Sequence, residues 1–122
     1  MMDFKITFPA GYNEINKLDG NIDVHIVLES GDVFVATLFT LPNIQKMITQ
    51  FNSASFWASD MIIVKNLSHD TIRDAVQEIV DDEYLEHACT HIGRVEKRYP
   101  GMSFEQIPDM ADGYKLIGQQ DW

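Results

Sequence analysis

The longest uninterrupted run of large apolar residues in the chain is Met61-Ile62-Ile63-Val64, preceded by Phe56-Trp57-Ala58-Ser59-Asp60. It is rich in β-branched side chains, whose restricted χ1 suits an extended backbone. Apolar at odd and even positions alike, it predicts a strand covered on both faces. Lys65-Asn66-Leu67-Ser68 then changes register, and the Ser68 hydroxyl is placed to cap a helix opening at His69. Ile72, Ala75, Val76, Ile79 and Val80 follow at helical spacing and make one apolar stripe. A strand within 56–64, with this helix docked on it, is the expected centre of the core.

The remaining elements are read around that centre. Phe4, Ile6 and Phe8 alternate with Lys5 and Thr7, the period of a half-buried strand. Asp23 to Glu29 alternates again, and Ser30-Gly31 has the glycine and the length of a tight hairpin turn. Val33 to Thr40 is the return strand. Thr40 can cap the next helix, with Pro42 in its first turn, where a missing N–H costs little. Ile44, Met47, Ile48 and Phe51 form its apolar stripe.

After Asp81-Asp82, whose charge opposes the dipole at a helix C-terminus, a second, shorter helix is expected over Tyr84 to Val95. It would turn Leu85, Ala88, Cys89 and Ile92 inward. From Tyr99-Pro100-Gly101 onward the periodicity weakens, although Phe104, Ile107, Met110, Tyr114, Leu116 and Ile117 keep the segment too apolar for a disordered tail. Residues 99–122 are expected to pack back on the domain, with Gln119 to Trp122 frayed. The order β-β-β-α-β-α predicts an α+β fold: one twisted mixed or mainly antiparallel sheet with helices packed on it, in a single domain spanning 1–122.

Charge narrows the partners. Nineteen Asp and Glu against nine Lys and Arg give −10 at neutral pH. Such a field repels nucleic acid and anionic membrane, and it speeds capture of a basic protein. Cys89 is the only cysteine, so no disulfide forms within the chain, and a reducing cytoplasm is the expected location. The N-terminus carries an acid where a signal peptide needs positive charge, and no stretch approaches the roughly 18 apolar residues of a membrane span.

Reactive machinery is sparse. Neither G-x-G-x-x-G nor a P-loop occurs, so no cofactor is implied. Ser59 has no adjacent histidine or glycine-rich elbow to activate it. Asp60 is expected to pair with a backbone amide or with Arg73, Arg94 or Arg98, a ligand role being the alternative. His87 and His91 share a face if the helix over 84–95 forms, with Glu83 beside His87. That set is the metal alternative, and with it a small metal-dependent or ligand-binding enzyme. Against it, no glutamate sits between the histidines as the H-E-x-x-H base would.

Asp70, Asp74, Glu78 and Asp81 recur near one helical turn, facing away from the Ile72/Val76/Ile79 stripe, and Asp82, Glu83 and Glu86 prolong the run. This is either a solvated helix face or a contact ridge for a cationic partner. Trp57, Tyr84, Tyr99 and Trp122 are candidate anchors for an interface, or core. An unpaired edge such as Asp23 to Glu29 would permit self-association, leaving monomer and weak homodimer both open.

The hairpin-then-helix plan over residues 22–80, the Phe56-to-Val64 stretch and the acidity together resemble small bacterial immunity proteins of contact-dependent growth inhibition and related polymorphic toxin systems. The resemblance implies a non-catalytic cytosolic inhibitor that binds one cognate toxin domain, often a basic nuclease, and covers its active site. Asp70, Asp74, Glu78, Asp81, Asp82 and Glu83 are the expected contact ridge, with Tyr84 as an apolar anchor. Association would then be salt-sensitive.

Overall fold

The structure is a computed structural model and describes residues 2–118. Its framework is three antiparallel-paired strands: β1 (Phe4–Phe8), β2 (Asn21–Leu28) and β3 (Asp32–Thr40). Alternation along β2 sends Ile22, Val24, Ile26 and Leu28 to one face. There they meet Phe4, Ile6 and Phe8 of β1 and Phe34, Ala36 and Leu38 of β3. The apolar stripe of α2 (His69–Asp81) closes this layer, with Ile72 and Val76 fully buried. On the opposite face Val27 and Val33 pack with Val95, Tyr99, Ile107 and Leu116, so the C-terminal segment covers the side that α2 does not.

Among the described residues the sheet is mixed and six-stranded, in the order β4 (Met61–Val64), β3, β2, β1, β6 (Ala111–Asp112), with β5 (Thr90–Arg94) also on β3. The hairpin turn falls at Ser30-Gly31, where Gly31 takes φ +99°. Thr40 caps α1 (Leu41–Gln50), its Oγ1 accepting from the Asn43 amide at 3.4 Å. That helix crosses over to β4 (Met61–Val64), which lies parallel to the second half of β3. Ser68 caps α2, accepting from the Thr71 amide at 3.2 Å. None of the helices among the described residues is long and apolar enough to cross a membrane.

Three expectations are corrected. The strand within 56–64 is confined to Met61–Val64 and lies at the sheet edge, paired among the described residues only with β3. Ile63 is half exposed and Trp57 is 80% exposed. An apolar run is buried only where layers cover both faces of the sheet, and along this strand Val64 is buried while Ile63 is not; the core centres on β1–β3 instead. Likewise, no helix spans Tyr84 to Val95. Between Tyr84 and Arg94 only α3 (Leu85–Ala88) is helical, Cys89 is extended at φ −132°, and β5 (Thr90–Arg94) pairs antiparallel with the first half of β3. Gly93 at φ +125° and β-branched Thr90 and Ile92 suit this path better than a helix.

Finally, Asp23 to Glu29 is no edge, because β2 is bonded to β1 and β3 on its two sides. After β5 the chain forms α4 (Val95–Arg98), a 3₁₀ turn at Phe104–Gln106, β6 (Ala111–Asp112) parallel to β1, and α5 (Gly113–Gly118). Gln119 to Trp122 lie outside the described residues.

Candidate functional site

The end of α2 is where sequence chemistry and geometry meet. The helix closes on Asp82, and the Glu83 and Tyr84 amides bond back to the Val80 and Ile79 carbonyls, each at 3.1 Å. This is the paired closure of a Schellman motif, whose left-handed residue is usually glycine. Here it is Glu83, at φ +55°. The reversal throws α3 across the tip of the β2–β3 hairpin, and a cleft of about 940 Å³ opens between them.

Leu28, Phe34, Val80, Leu85 and Met2 supply the apolar lining of that cleft. Leu28, Phe34 and Leu85 belong to the buried core, so this part of the floor is fixed by packing. Five acids line the same space: Glu29 and Asp32 from the hairpin, Asp81 and Glu83 from the helix end, and Glu86 from α3. Among the described residues, no lysine or arginine lines it.

The five carboxylates are satisfied unequally. Glu29 Oε1 accepts from the Asp3 amide at 2.9 Å, and Asp81 Oδ1 accepts from Gln77 Nε2 at 2.9 Å. Both partners are neutral. Among the described residues, only Asp32 of the five meets a cationic side chain, Arg94 Nη1 at 3.6 Å, and His91 Nε2 lies 3.1 Å from it. Partial burial pushes its pKa up, but bonds from His91 and Ser30 and the His91 and Arg94 charges outweigh that and hold it below the usual carboxylate value. Among the described residues, Glu83 and Glu86 form no ion pair.

The predicted ridge is only partly assembled here. Asp70, Asp74, Glu78, Asp81, Asp82, Glu83 and Tyr84 are all exposed, yet of these only Asp81 and Glu83 line the cleft. Asp70 sits in the first turn of α2, about 16 Å from Asp81 along the axis at about 1.5 Å per residue. Tyr84 stands outside, its ring 4.7 Å from that of His87. Sequence reasoning passed over Glu29 and Asp32, whose signal was an acid on each side of the hairpin turn. It placed Glu86 only as an extension of the ridge.

The metal alternative loses its geometry. His87 lies on α3 and His91 on β5, so they do not share a helix face. The His91 ring packs 5.1 Å from Phe34, and its Nε2 is taken by Asp32. Among the described residues, no group of three or more His, Cys, Asp or Glu is placed to hold a metal ion. Cys89 is buried, and burial, aided by the Asp60 charge, raises its pKa to about 11. It is a protonated thiol at neutral pH. Asp60, at φ +55° beside the start of β4, accepts from Thr90 Oγ1 at 2.7 and 2.8 Å and meets none of the three arginines.

Of the other candidate anchors, Tyr99 is core at 1% exposure, and Trp122 lies outside the described residues. The Tyr99 hydroxyl joins Thr7 Oγ1 at 2.5 Å and His25 Nδ1 at 2.7 Å.

No family model, characterised protein or solved structure matches the chain. The functional reading therefore rests on the site itself.

Proposed function

We propose that this protein is an immunity-type inhibitor that captures a cationic protein domain and thereby blocks that domain's activity in the cytoplasm. The observation that carries the reading is the cleft at the hairpin tip: four carboxylates that have no cationic partner among the described residues, Glu29, Asp81, Glu83 and Glu86, set around a fixed apolar floor. Charges left uncompensated by the fold cost little while hydrated, and they become strong attachment points when a partner's cation meets them. The net charge of −10 adds long-range steering toward a basic surface and repels nucleic acid that competes for it. The toxin's groove for a polyanionic substrate is the natural counterpart, which makes a basic nuclease the expected target.

Co-expression with the domain encoded by the neighbouring gene tests this. That domain is expected to be basic and toxic alone, and growth is expected to return when this chain is present. Replacing Glu29, Asp81, Glu83 and Glu86 by lysine is expected to abolish rescue, since loss of each desolvated charge costs roughly 2–5 kcal/mol. A folded charge-reversed variant that still protects, or a neighbour without a basic toxic domain, counts against the reading.

A further inference from the structure

We propose, resting on that capture reading, that the partner is held by a protruding loop carrying arginine flanked by apolar residues. This loop would enter the cleft between the β2–β3 turn and the α2–α3 joint rather than lie along α2. The shape argues first. The hairpin and the α2–α3 joint wall a half-open space of about 940 Å³ from two sides, whereas the exposed face of a single helix is convex. A segment of a few residues fills such a space; one isolated side chain does not.

The chemistry of the walls selects what enters. Leu28, Phe34, Val80 and Leu85 gain nothing from a fully hydrated polycation and favour apolar atoms. Glu83 and Glu86, without an ion pair among the described residues, favour positive charge. Arginine combines both needs: its aliphatic stem lies on an apolar floor while five donors fan toward carboxylates on different walls. The chain's own arginines near this end do not compete for the space. Arg94 turns its guanidinium to the Ser30 carbonyl, Asp32 and Glu96, and Arg73 is engaged with Asp109 and the Phe4 ring. Charge complementarity and the floor thus point to one occupant, a basic and apolar peptide segment.

An NMR titration of the full chain with three blocked hexapeptides tests this: alternating arginine and leucine, arginine alone, and alternating glutamine and leucine. The first is expected to bind at least about tenfold tighter than the other two, shifting the amides of Ser30, Asp32, Phe34, Leu85 and Glu86. Glu83→Gln with Glu86→Gln is expected to weaken it at least about tenfold, while Asp70→Asn with Asp74→Asn leaves it within about twofold. All four side chains are exposed, and the amide spectrum reports whether each variant remains folded. Equal or tighter binding of hexa-arginine, shifts confined to the first turns of α2, or no binding by any peptide overturns the loop proposal. The capture reading survives that result if the toxic domain is still neutralised by the wild-type chain, and both fail if it is not.

Discussion

Glu83 occupies a backbone position that chemistry reserves for glycine. A side chain in the left-handed region costs roughly 1–2 kcal/mol through the clash of Cβ with the following carbonyl, and Glu83 bears this at φ +55° without an ion pair among the described residues. Asn52, Asp60 and Met110 take the same region, so the strain at Glu83 is a property of its turn, relieved most simply by glycine. Glu83→Gly is therefore expected to stabilise the fold by about 0.5–1 kcal/mol, seen as a melting temperature a few degrees higher. The same variant is expected to bind the arginine–leucine peptide more weakly. Calorimetry and the titration read the two effects separately, and a variant that is both less stable and an equal binder would show that Glu83 serves the turn alone.

Elements were legible where a local signal and the tertiary setting agreed. The hairpin and the caps at Thr40 and Ser68 stand where hydroxyl, proline and alternation placed them. Ser68→Ala is expected to cost about 1 kcal/mol, because the Thr71 amide at 3.2 Å loses its acceptor at a helix start; urea denaturation measures it. In the segment after α2, Leu85, Ala88, Cys89 and Ile92 fit a helical period as well as a broken path, so periodicity does not separate the two. The open edge of β3 decided otherwise. Its first half, Asp32 to Val35, lacks any partner from β4, and Thr90 to Arg94 fills that vacancy as β5. No window around residue 90 contains that information. The cleft escaped sequence reading for the same reason, since its acids come from residues 29–32 and 81–86, brought together only by the Glu83 reversal.

At the scale of the whole molecule, the two faces of the sheet are held by different means, and pH separates them. The α2 face is closed by apolar contacts, whereas the C-terminal layer is also tied through Tyr99 to Thr7 on β1 and His25 on β2. Burial lowers the His25 pKa below its usual value near 6.5, the Arg98 charge lowers it further, and Asp23 opposes only in part. Burial likewise raises the Tyr99 hydroxyl, which stays protonated and serves the network as a neutral group. A histidine with a lowered folded-state pKa binds fewer protons in the folded chain than in the unfolded one. Its contribution is thus complete above about pH 6.5 and is lost as pH falls through the folded pKa. Protonation also makes Nδ1 a donor, so a Tyr99 hydroxyl that donated to it must reverse its role with Thr7. Falling pH relaxes the self-repulsion of a chain of charge −10 at the same time, so wild-type stability alone mixes two trends. The difference between wild type and His25→Gln isolates one of them. Denaturant melts from about pH 7 to about pH 5 are expected to show wild type losing stability relative to the variant, with hydrogen exchange rising first at the amides of Val95 and Ile107. A constant difference across that range would mean that His25 keeps the same charge in the folded and unfolded chains, so that pH does not act on the C-terminal layer through it.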